Sequence, residues 1–166
     1  MWYKLAGTAL ASISSVLLLV SIATDYWTVI YDVKARAHWG LWQMCSMGKC
    51  QEITSNFDYI NSVRGCLIFS AVLSIFALLG AISSFANWRF GPITGALMTS
   101  VFSFFTALFD LIAMAVYSSE TPGMVTAASW GYAWSFFLGW TALPLLIIAG
   151  ILLLFAHNSP NNYESL

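Results

Sequence analysis

Charge is what this sequence has least of. Asp, Glu, Lys and Arg together make up 8% of its 166 residues, against about 25% in ordinary soluble domains. Its six Lys and Arg residues give no basic footprint, which excludes nucleic-acid binding. Histidine is equally scarce: His38 and His157 stand far apart in the chain. No carboxylate pair sits at a suggestive spacing, and no phosphate-cradling glycine loop follows a strand. Catalysis would have to be assembled from serines and Asp110 alone, so the sequence reads as non-enzymatic and free of cofactors. No Asn-x-Ser/Thr sequon occurs, which excludes N-glycan. Cysteine appears three times, as a close pair, Cys45 and Cys50, and an isolated Cys66.

What the chain does have is apolar side chains, 60% of the total. A soluble fold of this length would have to hide nearly all of them in one core, whereas a bundle embedded in lipid has no such difficulty. The expected fold is an all-α membrane protein: a bundle of transmembrane helices built as a single domain over 1–166. The apolar runs place spans at about 5–23, 63–85, 93–117 and 132–156, each near the ~20 residues that cross a bilayer as a helix. Loops then cover 24–62 and 118–131, and a tail covers 157–166. A cleaved signal peptide is the rival for the first run, because Ser21-Ile22-Ala23 has a cleavage-like pattern, but the run is long for one. Gly7, Ala11 and Ser15 recur four apart and give the first span a face that another helix can approach closely. Ala77, Gly80, Ala81 and Ser84 do the same near the far end of the second. Pro144 predicts a modest kink in the fourth.

The long polar interval holds the organising stretch, His38 to Cys50. Thr28–Val33 is rich in β-formers, and His38–Gln43 alternates aromatics and aliphatics with small or polar residues, so short paired strands are expected. A Gly-containing turn between Cys45 and Cys50 makes a disulfide across a hairpin sterically reasonable, leaving Cys66 as a buried thiol. Closing so short a ring contributes roughly 2 kcal/mol. A metal site lacks its further ligands. An oxidised pair places this loop outside the cell or in a lumen. Charge points the other way, since Lys34, Arg36, Lys49 and Arg64 lie on the long-loop side and only Lys4 and Arg89 on the terminal side.

Asp110 is the acidic group deep in an apolar run, where an ionised carboxylate costs roughly 2.5–3.5 kcal/mol. It is expected to face the bundle interior, either as a proton or ion site or hydrogen-bonded to a hydroxyl such as Ser70 or Ser74. With no second intramembrane charge to form a relay, the hydrogen-bonded reading is preferred. Tyr26, Trp27, Tyr117, Trp130, Tyr132 and Trp134 gather at the long-loop ends of the spans, as an interfacial belt would. Trp39 and Trp42, outside any span, are expected to fill the small core of the sheet or to form a contact surface. Tyr163 and Leu166, separated by two residues, have the form of a tyrosine-based sorting signal read by clathrin-adaptor-type machinery.

Taken together, Trp27, then Gly40-Leu41-Trp42, Cys45 and Cys50, then Arg64 resemble the claudin superfamily across essentially the whole chain. The short Cys45–Cys50 spacing is similar to the branch containing peripheral myelin protein, the epithelial membrane proteins and lens fibre intrinsic protein. Ala37-His38 and Gly48-Lys49-Cys50 resemble the lens member. Ala115–Glu120, Trp134–Trp140 and Tyr163–Leu166 resemble the natural killer cell granule member. The resemblance implies a four-helix bundle under an extracellular antiparallel β-sheet, Cys45 joined to Cys50, cytosolic termini and no enzymatic activity. It implies a multi-pass protein of plasma membrane or lysosome-related granule membrane. Its partners would be the bilayer, other membrane proteins and itself in cis or trans. Two roles follow: organising or trafficking such membranes, including exocytosis of cytotoxic granules, or adhesion at a cell junction, with pore formation a distant third.

Overall fold

The computed structural model describes residues 2–31, 36–54, 58–86, 89–90, 93–121 and 130–159. Four long helices dominate: α1 (Trp2–Ala23), α2 (Asp58–Phe85), α3 (Gly95–Glu120) and α4 (Trp134–Asn158). All four are long and apolar enough to cross a membrane. α2 packs mainly on α3 and α1 mainly on α4, while α3 and α4 join the two pairs.

The packing is inside out relative to a soluble bundle. The interior of α3 is Thr99, Ser100, Ser103, Thr106, Ala107 and Asp110, all buried. The outer faces carry the large apolar side chains, among them Phe69, Ile75, Ile82 (65% exposed) and Phe105. Lipid is the solvent in which that arrangement is favourable: it leaves no hydrophobic drive between helices, so close contact through small residues holds the bundle together. The small faces expected from the sequence fall where helices meet. Gly7, Ala11 and Ser15 are buried on α1, as are Ala77, Gly80, Ala81 and Ser84 on α2. At the α2–α3 crossing, a Cβ on Gly95 would stand 2.6 Å from the Gly80 carbonyl oxygen, so only glycine permits this approach. α4 continues through Pro144 as one helix.

At the other end of the bundle lies a five-stranded antiparallel sheet. Its strands are β1 (Thr28–Tyr31), β2 (Arg36–Trp39), β3 (Gln43–Ser46), β4 (Lys49–Glu52) and β7 (Trp130–Tyr132), in the order β4-β3-β2-β1-β7. A small hairpin, β5 (Arg89–Phe90) with β6 (Ile93–Thr94), connects α2 to α3. Thr94 then caps α3, accepting from the Leu97 amide at 3.3 Å.

Several boundaries differ from the sequence reading. His38–Gln43 is not one strand: β2 ends at Trp39 and β3 begins at Gln43, with the Gly40 amide bonded to the Gln43 carbonyl at 2.9 Å in the turn between them. α2 starts at Asp58, so its 28 residues (about 42 Å) exceed the bilayer core and carry the helix up to the sheet. Tyr132 belongs to β7 rather than to the fourth span, and the second loop contributes a strand that the sequence reading left out. Val33 and Asn56 lie outside the described residues, as does the tail bearing Tyr163 and Leu166.

Candidate functional site: the sheet–bundle junction

A helix ends with backbone carbonyls that its own amides cannot reach. α1 ends under the sheet, and three side chains supply the missing donors. Thr24 donates its hydroxyl to the Val20 carbonyl at 2.6 Å. Trp27 donates its indole N–H to the Ser21 carbonyl at 2.8 Å, and Trp42 donates to the Ile22 carbonyl at 2.9 Å. Two tryptophans far apart in sequence therefore close the same helix end. One comes from the entry to β1 and the other from the turn between β2 and β3.

Trp27 does more than cap. It is 0% exposed, with its ring edge-on to Tyr117 of α3 (4.8 Å between centroids) and to Phe136 of α4 (6.1 Å). Its backbone bonds both the Trp39 carbonyl and the Ala133 amide, at 2.9 Å each. Leu41, also 0% exposed, joins Trp27, Leu18, Val63, Leu67 and Met114 in the same apolar cluster. The belt expectation is corrected here: Trp27 and Tyr117 are core residues, because the sheet sits directly on the helix ends and covers them. Tyr26 (stacked on Trp134 and on His38) and Trp134 remain exposed at the periphery.

Gly40 permits the close approach on which this depends. A Cβ there would fall 2.3 Å from the Asp25 Cα, so no larger residue fits without moving backbone. Arg64, in the second turn of α2, then fastens the turn from above. Its Nε donates to the Leu41 carbonyl at 2.7 Å, while its Nη atoms reach the Ile53 carbonyl and Asn61 Oδ1 at 3.3 Å each. The guanidinium also lies 5.2 Å from the Trp42 ring centroid, a cation–π distance. Trp42 is 37% exposed, so Arg64 and water share the space around it.

Cys45 and Cys50 are directly opposed on β3 and β4 and joined by a disulfide, with 4.0 Å between their Cα atoms. The two-residue turn beyond them holds Met47 and Gly48 at φ 51° and 77°. Positive φ at both central positions matches the twist of the strands it joins. Cys66 is the free thiol among the described residues, partly buried at the edge of the apolar cluster. Hydrogen bonds between Thr28 Oγ1 and Tyr117 Oη (2.8 Å) and between Thr121 Oγ1 and Tyr132 Oη (2.9 Å) tie strands β1 and β7 to the end of α3, and Ser21 Oγ donates to the Ser135 carbonyl (2.6 Å) to join α1 to α4. Sequence reasoning missed these. Only the position of the hydroxyls at segment ends signalled them.

Asp110 lies apart from this assembly, 0% exposed inside the bundle. The expected hydrogen bond to Ser70 or Ser74 is not formed. Ser70 donates across to the Thr106 carbonyl at 3.0 Å and Ser74 donates to Ala71 of its own helix at 2.7 Å. A hydroxyl has one proton to give, and backbone carbonyls have taken both. Neither Asp110 oxygen has a hydrogen-bond partner among the described residues. Nor do those residues group three His, Cys, Asp or Glu side chains in a way that could hold a metal ion.

The junction is thus chemically a fastening: the polar groups named above are engaged with one another and with backbone, while Asp25 Oδ1 is buried without a hydrogen-bond partner among the described residues. Comparison with known proteins shows the family. A model of the PMP-22/EMP/MP20/Claudin family matches residues 1–153. The chain is 31% identical over 154 residues to the lens fiber membrane intrinsic protein of Homo sapiens, covering 91% of this chain and 89% of that protein. It is 37% identical over 153 residues to claudin domain-containing protein 2 of Mus musculus, covering 90% and 84%. It is 32% identical over 143 residues to protein NKG7 of Mus musculus, covering 84% and 82%. This chain is a multi-pass membrane protein of the PMP-22/EMP/MP20/Claudin family.

Proposed function

We propose that this protein is a non-enzymatic organiser of membranes, which holds a rigid sheet at a fixed distance from the bilayer for contact with other membrane proteins. The single observation that carries this reading is how the signature residues are spent. Trp27, Gly40, Leu41, Trp42 and Arg64 all fix the sheet to the helix ends, and none presents a reactive group to a substrate. In this reading the sheet faces the extracellular or lumenal side, where a disulfide persists, and the termini are cytosolic. Tyr163 and Leu166 then route the protein to granule, lysosomal or plasma membranes through adaptor-type machinery. The tail pattern, a tyrosine and a bulky aliphatic three residues on, is what supports that route.

A second reading, adhesion at apposed membranes, is favoured by the outer strand. β4 is exposed at all four of its residues and, among the described residues, has strand β3 on one side only. An unpaired edge is a ready template for another chain. Localisation of the intact protein beside Tyr163→Ala separates the two. Relocation of the variant from internal membranes to the cell surface supports the trafficking role; unchanged enrichment of both at cell contacts rejects it in favour of adhesion.

A further inference from the structure

Between the sheet and the sheet-side ends of α2 and α3 lies a cavity of about 420 Å³, within the ~300–1,000 Å³ range of small-molecule sites. We propose that it binds one membrane-borne amphiphile, a single alkyl chain carrying a cationic ammonium head.

The floor is formed by Ile60 of α2, by Tyr117 of α3 and by Thr28 of β1. The two hydroxyls there are buried and bonded to each other at 2.8 Å, so beside the Ile60 side chain and the Tyr117 ring the floor suits a mainly apolar body. One wall is the stacked pair Trp39 and Trp130, 4.7 Å apart and 17° from parallel. Aromatic faces attract ammonium groups. The mouth is formed by the exposed residues Glu52 and Thr54.

The local charges also favour a cation. Thr121, the C-cap of α3, lines the cavity, and no basic residue occupies the last turn of that helix, so the negative end of its dipole is uncompensated there. The positive end of α2, beside Ile60, is offset by Asp58 in its first turn. Arg64 keeps its positive charge but is not among the residues that line the cavity, and its donors are turned to the Leu41 and Ile53 carbonyls and to Asn61. Position supplies the source of the ligand: the cavity opens at the helix ends, level with the headgroup layer of a bilayer spanned by these helices.

The test uses the full chain in lipid nanodiscs and three photoactivatable diazirine probes of equal chain length: a primary amine, an alcohol and a fatty acid. Crosslinked positions are mapped by mass spectrometry. The amine is expected to label the cavity-lining residues 51–54, 59–60 and 130 more strongly than the other two. Glu52→Gln, on an exposed strand, is expected to lower amine labelling to the level of the alcohol, a roughly two- to fivefold loss typical of an exposed ion pair. Thr54→Trp, which fills the mouth, is expected to lower amine and alcohol labelling together. A circular-dichroism unfolding transition matching that of the parent protein establishes that each variant is still folded. Labelling confined to the lipid-facing helix surfaces, any other ranking of the probes, or amine labelling unchanged in Glu52→Gln would overturn the proposal.

Discussion

Replacing either capping tryptophan by phenylalanine removes the same donor from the same helix end, yet the two substitutions should differ in effect. Trp27 is fully buried, so Trp27→Phe strands the Ser21 carbonyl where water cannot reach it. An unsatisfied buried acceptor costs about 1–3 kcal/mol, and the lost hydrogen bond and smaller ring add to that. Trp42 is 37% exposed, so in Trp42→Phe water can take over the Ile22 carbonyl. The remaining loss is about 0.5–1.5 kcal/mol, the net worth of one hydrogen bond. The expected difference is therefore about 2 kcal/mol, with Trp27→Phe the more damaging. Equilibrium unfolding followed by circular dichroism in mild detergent measures both against the parent protein. Equal losses, or a larger loss for Trp42→Phe, would refute the argument that burial decides the value of each cap.

Three further outcomes follow from the same geometry. Arg64→Lys should lose most of the fastening, because an ammonium cannot span the Leu41, Ile53 and Asn61 acceptors as a planar fork does; a destabilisation of about 1.5–3 kcal/mol is expected in the same unfolding assay, and a value near zero would contradict it. Gly40→Ala should cost about 1–3 kcal/mol, since its Cβ meets Asp25 backbone rather than a flexible side chain; the matching control, Gly65→Ala inside α2, meets nothing within 4 Å and should be stabilising by up to about 1 kcal/mol in the same assay. Asp110→Leu should be neutral or stabilising by up to about 3 kcal/mol, because it removes a buried carboxylate without a partner among the described residues. A loss above about 1 kcal/mol would instead show that Asp110 holds something the bundle needs.

The membrane class and the helix count were legible in the sequence because lipid imposes long uninterrupted apolar runs, and few other physical constraints do. The small faces were legible for a related reason: Gly7, Ala11 and Ser15 have little to offer except close approach. Helix ends were read less well. Hydropathy marks where the bilayer ends, not where the helix does, so the first residues of α2 and the strand at Trp130–Tyr132 escaped it. The signature residues were legible as a pattern, but their work was not. Trp27 and Trp42 read as belt or sheet core until the end of α1 was seen to lie beneath both of them. Asp110 shows the opposite limit: its depth was apparent, but which backbone carbonyl would take each serine proton depends on helix packing that no single-chain pattern encodes.

The proposed function needs a fixed sheet, clamped by the Cys45–Cys50 disulfide and facing away from the cytosol. The most direct measurement is differential alkylation of the intact protein, trapped as cells are lysed and read by mass spectrometry peptide by peptide. Cys66 should be alkylated once the protein is unfolded without reductant, while Cys45 and Cys50 become reactive only after reduction. Free thiols at both Cys45 and Cys50 before reduction would place the sheet in a reducing compartment and contradict the account.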